Sequence, residues 1–276
     1  MIRADLHMHS RASDGAYPPE ELALKVKQAG VQLFAVTDHD SMEGVELAEG
    51  AAKKEGLLFV RGMEISAYNE CGKVHILGYC CKKNAVYGQF LKERVEGAYV
   101  RAQDILRKAN AYFGTALTLE DAEQFHAHKS APMHTMQIVN AFALRLQADR
   151  VKLYNEVFAF GKSAYSDLGR PSPEDAVRYV HGMNGIAVLA HPAQIRVAPS
   201  ELTLVMDGLR RSGLDGIECY HSTHTERESE SFLQYAKEHK LLVTGGSDFH
   251  ADGTDRVLGK PEFYASDALL NAFSLK

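Results

Sequence analysis

Along much of the chain one pattern recurs: an amphipathic helix, a glycine, a short apolar run, then a polar residue. Pro18 and Pro19 open the first unit, where a missing N–H costs little. Leu22, Val26 and Ala29 fall on one helical face, and Gly30 ends the helix. The apolar run 33–36 follows, and then Thr37, Asp38, His39 and Asp40. The next helix, over 43–54, carries Val45, Ala48 and Ala52 on one face. Gly56, the run 57–60 and Glu64 complete that unit. The pattern returns after Ser172, which caps a helix with Pro173 at its first position. Later strands over 186–190, 216–220 and 241–245 lead to His191, to His221 and to Asp248 with His250.

Short apolar runs alternating with helices predict a parallel sheet covered by helices. Seven strands are predicted, near 2–6, 33–37, 57–62, 74–79, 186–190, 216–220 and 241–245. Nearly all carry a metal-capable residue at or beyond the C-terminal end. A distorted seven-stranded (β/α)7 TIM-like barrel, with its site on that face, explains how ligands so distant in sequence converge. An open doubly wound sheet is the alternative, and it gathers fewer strand ends at one point. Residues 84–170 break the rhythm with helices near 86–112, 118–125, 133–147 and 150–158. The expected organisation is a barrel of residues 1–83 and 171–276, with 84–170 as a helical insertion, or cap.

Charge and composition narrow the function classes. The formal net charge of -5 gives no global positive field for long duplex nucleic acid. No apolar run reaches the roughly 18 residues that span a bilayer. The N-terminal stretch lacks the apolar core of a secretory signal. Cys71, Cys80, Cys81 and Cys219 form no C-x-x-C pair. Free thiols in a reducing cytoplasm are the simplest reading. The informative excess is the 13 histidines, of which six fall in or just after strand-like runs.

His7 and His9 stand at i and i+2 on a strand and so face one side, a natural chelating pair. One buried, hydrogen-bonded histidine is the plainer reading of H-x-H. Asp14 precedes Gly15 in what is otherwise a turn. His39 follows an apolar strand among polar neighbours that packing does not explain. Glu64 follows another strand, His75 lies within one, and His191 precedes Pro192. Asp248 and His250 repeat the i, i+2 pairing in a Gly-rich turn. Taken together, these residues predict metal binding.

The ordered segments DLHMHS, TDHD, GMEIS, VHILGY, AHP and GSDFH resemble the motifs of the PHP (polymerase and histidinol phosphatase) superfamily. The nearest likeness is to stand-alone bacterial members acting on nucleotides. The resemblance implies two or three divalent metals. One would take His7, His9, Glu64 and Asp248; a second would share Glu64 and take His75 and His191; a third would take Asp14, His39 and His250. Asp40 would orient water or accept a proton. Imidazole and carboxylate ligands suit Mn, Fe or Zn better than Mg. A hydroxide bridging two metals is then the expected nucleophile, and no Ser, Cys or P-loop motif competes with it.

The same resemblance places Lys162 and Tyr165 near the substrate, in a GKxxY-like segment, and His224 by its phosphate. His221 and Arg196 are further candidates, Arg196 lying later than the Arg that relatives often carry after His-Pro. Relatives often show Arg-x-His in the insertion; here Ala131-Pro132-Met133-His134 keeps the His and lacks the Arg. His126, His128, His181 and His239 read as surface or helix histidines. The expected activity is hydrolysis of a small phosphorylated substrate, a nucleoside mono- or 3',5'-bisphosphate. A 5'-3' exonuclease on short RNA or DNA is the alternative. Histidinol phosphate phosphatase and a non-catalytic metal-binding module rank below both.

Overall fold

The computed structural model describes residues 2–125 and 133–275. Two compact units appear, Met1–Tyr87 with Pro171–Lys276, and Gly88–Arg170. The first is built on eight strands: β1 (Ile2–Asp5), β2 (Leu33–Val36), β3 (Leu58–Asn69), β4 (Gly72–Tyr79), β5 (Ile186–Leu189), β6 (Gly216–His221), β7 (Leu242–Gly246) and β8 (Phe263–Ala265). Their order is β7-β6-β5-β4-β3-β2-β1-β8. The sheet curls until its ends nearly meet. Leu6 N donates to Gly245 O at 3.0 Å, Asp248 N donates to His7 O at 2.8 Å, and Met8 bridges Phe249. Gly246 permits this approach, because a Cβ there would lie 2.4 Å from the Cβ of His7.

The fold is therefore α/β and barrel-like, with two corrections to the sequence expectation. The sheet has eight strands rather than seven: β8, three residues long, pairs antiparallel with β1. The sheet is also not uniformly parallel, since β4 runs antiparallel to both β3 and β5. A two-residue turn joins β3 to β4, so they form a long hairpin rather than a strand–helix–strand unit.

Alternation along the strands separates two cores. Leu33 and Ala35 face inward with Leu77, Tyr79 and Val188. Phe34 and Val36 face outward onto Leu22, Val26, Ala48 and Ala52. Those last four belong to helices α1 (Pro19–Gln28) and α2 (Val45–Glu55). Helices α7 (Pro173–Gly182), α8 (Pro199–Arg211) and α9 (Glu226–His239) precede β5, β6 and β7 in turn. At the N-terminus of α7, the Ser172 hydroxyl accepts from Asp175 N at 3.0 Å. Helix α10 (Asp267–Ala272) sends Leu269 and Leu270 into the inner core, followed by Phe273, whose ring lies 5.3 Å from Tyr79.

The second unit has its own core. Helix α3 (Ala85–Phe113) contributes Ala102, Ile105 and Leu106; α5 (Thr135–Leu146) contributes Ile138, Val139 and Phe142. Short helices α4 (Leu119–Glu123) and α6 (Arg150–Leu153) and a π-turn at Tyr154–Phe158 complete it. Gly97 and Gly169 touch so closely that a Cβ on Gly97 would sit 2.0 Å from Gly169 O. His126, His128, Ala131 and Pro132 lie outside the described residues.

Candidate active site

The interior face of the β3–β4 hairpin sets the depth of the site. Register pairs Glu64 with Leu77, Ser66 with His75 and Tyr68 with Lys73, and directly opposed residues share a face. Leu77 and Tyr79 belong to the apolar core, and Glu64 and His75 form the next layer. His75 lies in the first half of its strand, but β4 is antiparallel, so it reaches the same end of the barrel as the C-terminal ends of β1, β2, β5 and β7. Glu64 is inside β3, not after it.

Glu64 is the hub. Its Oε1 lies 2.5 Å from His75 Nδ1 and 2.9 Å from His191 Nε2. Its Oε2 lies 3.0 Å from His39 Nδ1, 3.3 Å from His9 Nε2 and 3.4 Å from His7 Nε2. Asp248 Oδ1 is 3.1 Å from His9 Nε2 and 3.4 Å from His7 Nε2. Asp14 faces His250 Nε2 at 3.4 Å and His39 Nε2 at 3.8 Å. Every metal-capable residue that the resemblance pointed to thus falls in one cluster, and each belongs to a group whose donor atoms lie within 4.8 Å of one another.

The donor set fits divalent metals. His7 Nε2, both ring nitrogens of His9, His39 Nδ1, Glu64 Oε2, His75 Nε2 and His191 Nδ1 are buried without a hydrogen-bond partner. Each such atom costs about 1–3 kcal/mol when left unsatisfied, and so many in one place call for a common partner. Imidazole with carboxylate suits Zn, Mn or Fe.

His7 and His9 pair with the carboxylates of the cluster, while His39 stays neutral. Burial lowers the His9 pKa, but the Asp248 and Glu64 carboxylates beside its Nε2 outweigh it and raise it to about 9. Glu218, Asp248 and Glu64 likewise outweigh burial at His7 and raise it. Burial holds His39 neutral, down at about 4, and lowers His75 as well. Burial alone would raise the Glu64 carboxyl, yet the imidazoles packed on both its oxygens pull it well below the usual range.

Several groups that the sequence reading passed over hold the ligands in place. Glu218 is fully buried; its Oε1 accepts from His7 Nδ1 at 3.0 Å and its Oε2 from His191 N at 2.7 Å. The bond to His7 leaves Nε2 as the free lone pair, the usual arrangement behind a metal-bound histidine. Its signal was a lone carboxylate between Ile217 and Cys219 in an apolar strand. Arg256 Nη1 donates to Asp248 Oδ2 at 2.6 Å; a loop arginine gave no sequence signal. Asp38 accepts from Ser10 N, Ser10 Oγ and Ser13 Oγ and so pins the loop of Asp14. Asp5 does the same for Ser247 and Gly259. Asp40, His191 and Asp248 all have positive φ, at 51°, 26° and 53°; such strained residues concentrate at functional sites.

The other sequence-chosen residues divide. His221 is buried in the cluster: its Nδ1 accepts from Thr223 N at 3.1 Å, and its Nε2 lies 3.3 Å from Asp248 Oδ2. With His7 and Glu218 it forms a further group that could hold a metal. His224 Nδ1 donates to Cys219 O at 3.1 Å, and burial lowers its pKa to about 4. Asp40 Oδ1 accepts from Ser66 N at 2.9 Å. Arg196 is exposed. Lys162, Tyr165 and His134 belong to the helical unit. Lys162 is exposed, Tyr165 O accepts from Lys108 Nζ at 2.7 Å, and His134 is the N-cap of α5. His181 pairs with Asp215 at 2.9 Å, and His239 ends α9.

A barrel with this buried imidazole–carboxylate cluster at one end defines a metal-dependent hydrolase of phosphoric esters. Within that class the chain belongs to the PHP family. The PHP domain matches residues 5–104. A 5'-3' exoribonuclease of Haemophilus influenzae is 32% identical over 89% of this chain and 89% of its own. A 3',5'-nucleoside bisphosphate phosphatase of Chromobacterium violaceum is 29% identical over 92% and 89%. A phosphoribosyl 1,2-cyclic phosphate 1,2-diphosphodiesterase of Eggerthella lenta is 32% identical over 89% and 93%. Two solved structures are similar throughout. An amidohydrolase from Chromobacterium violaceum with bound sulfate has 28% identity and TM-score 0.75, covering 96% of this chain and 92% of that one. A protein from Bifidobacterium adolescentis assigned as a metal-dependent phosphoesterase has 26% identity and TM-score 0.74, covering 98% and 96%. No helix among the described residues is long and apolar enough to cross a membrane.

Proposed function

We propose that this enzyme hydrolyses phosphate monoesters of nucleotides, nucleoside mono- or 3',5'-bisphosphates, with two or three Mn, Fe or Zn ions. The observation that carries the reading is the set of buried, unpartnered imidazole nitrogens around Glu64. The likeness to the nucleoside bisphosphate phosphatase supports the substrate class.

His7, His9, Glu64 and Asp248 would hold one ion, Glu64, His75 and His191 a second, and Asp14, His39 and His250 a third. When bound, these ions supply charge neutralisation for the phosphoryl oxygens and acidify water. The chain's own residues do the rest. Glu218 fixes the His7 ring by its bond to Nδ1. Arg256 and His221 occupy Asp248 Oδ2, leaving Oδ1 toward His7 and His9. His224 gives its Nδ1–H to Cys219 O, so its Nε2 lone pair accepts a proton or a hydrogen bond in the reaction. Asp40, tied to β3 through Ser66 N and through its own N–H to Glu64 O, orients water beside the cluster. Lys162, Tyr165, Arg196 and His134 are the proposed contacts to the rest of the substrate.

A second reading, 5'-3' trimming of short oligonucleotides, is favoured by the likeness to the exoribonuclease. A cytoplasmic setting accords with four free cysteines, two of which, Cys81 and Cys219, burial pushes up to about 12. The test compares initial rates of the manganese-reconstituted protein on a nucleoside 3',5'-bisphosphate, a nucleoside monophosphate and a dinucleotide. Faster release of phosphate from a mononucleotide supports the first reading. Preference for the dinucleotide transfers the assignment to the second, and no turnover of any monoester overturns the first.

A further inference from the structure

Above the metal layer the β3–β4 hairpin has one more interior-facing pair, Tyr68 opposite Lys73. Lys73 precedes His75 by two residues on the same strand, so both side chains leave the sheet on the same face. Two residues of strand span about 7 Å, which sets Lys73 one layer outward from a candidate ligand. Burial follows the same order. Leu77 and Glu64 are fully buried, His75 nearly so, Ser66 and Tyr68 half-buried, and Lys73 exposed.

No carboxylate among the described residues forms an ion pair with Lys73. Elsewhere in the barrel Lys83 pairs with Glu46 at 2.6 Å and Arg256 with Asp248. An uncommitted cation at the open end of a phosphoesterase centre invites a second anion.

Building on the nucleotide reading above, we propose that Lys73 binds the phosphate of the substrate that is not cleaved, and thereby favours nucleoside bisphosphates over compounds with a single phosphate. The scissile phosphate lies in the Glu64–His75 layer, and the second phosphate meets Lys73 in the layer outside it. Lysine serves such a site as a point charge.

The test uses full-length, manganese-reconstituted wild type, Lys73→Met and Lys73→Arg, with adenosine 3',5'-bisphosphate and p-nitrophenyl phosphate as substrates. A charge-assisted contact of this kind predicts that Lys73→Met lowers kcat/KM for the bisphosphate about 10- to 100-fold, mainly through KM. The single-phosphate ester should change by less than about twofold, metal content should be unchanged, and Lys73→Arg should keep most of the preference. Equal loss on both substrates, or no loss on the bisphosphate, overturns the assignment of Lys73 and leaves the proposed function standing. A wild-type enzyme that cleaves neither substrate overturns both.

Discussion

The Glu218 carboxylate accepts from His7 Nδ1 at 3.0 Å in a fully buried contact and, through its other oxygen, from the backbone of His191. One residue outside the proposed ligand set therefore orients two members of it. Glu218→Gln keeps the shape and one acceptor but removes the charge. Its metal affinity, measured by chelator competition, should fall about 10- to 100-fold. Glu218→Ala also strands buried donors and should lower stability by about 3–5 kcal/mol, read from chemical denaturation. Wild-type metal affinity in the Gln variant would remove the orienting role.

Arg256 should act on the same footing at Asp248. Its guanidinium ties Oδ2 at 2.6 Å and so presents Oδ1 to the cluster. Arg256→Met is expected to lose metal at about tenfold lower chelator concentration than wild type, with Arg256→Lys intermediate. Metal content after dialysis against graded chelator checks this; identical retention in all three proteins would show that the contact is incidental.

The metal-free cluster should carry a protonated His9 at neutral pH, since carboxylates raise it to about 9. Metal entry must displace that proton, so apparent affinity should fall about tenfold per pH unit below 9 for each proton displaced. The sign for folding stability is separate. A raised histidine pKa stabilises the metal-free protein fully below about 6.5, and this contribution fades as pH rises through 9. Titration calorimetry in two buffers of different ionisation enthalpy should show proton release on metal binding. No release would contradict the ion-paired resting state.

Gly246 and Gly50 should respond oppositely to alanine. A Cβ on Gly246 meets His7 Cβ at 2.4 Å and His7 N at 2.5 Å, whereas one on Gly50 meets nothing within 4 Å. Gly246→Ala should therefore cost about 1–3 kcal/mol and weaken metal binding. Gly50→Ala, within α2, should gain about 0.5–1 kcal/mol. Thermal melts of both decide the matter.

Much of this was legible in the chain. His7 with His9, and Asp248 with His250, are pairs at strand spacing, and that spacing alone turns both members to one side. The apolar runs before His39 and His191 marked strand ends. What stayed hidden depends on properties a one-dimensional pattern does not carry. An apolar run shows no direction, so β4 read as parallel and His75 as a strand-interior histidine. Only the antiparallel hairpin brings it level with Glu64. The three residues of β8 are too short for any periodicity. Glu218 stands in an apolar run as Glu64 follows one, but without a motif around it. Arg256 reaches Asp248 from a loop, a contact that depends on three-dimensional closure.

The central claim is that the cluster around Glu64 holds the metals that hydrolyse the phosphoester. Release of inorganic phosphate from adenosine 3',5'-bisphosphate should be measured on chelator-stripped protein before and after manganese is restored, for wild type and Glu64→Gln side by side. The account predicts no release from stripped wild type, recovery with manganese, and no recovery in a folded Glu64→Gln variant. Full turnover by the stripped protein, or by Glu64→Gln with manganese, would contradict it.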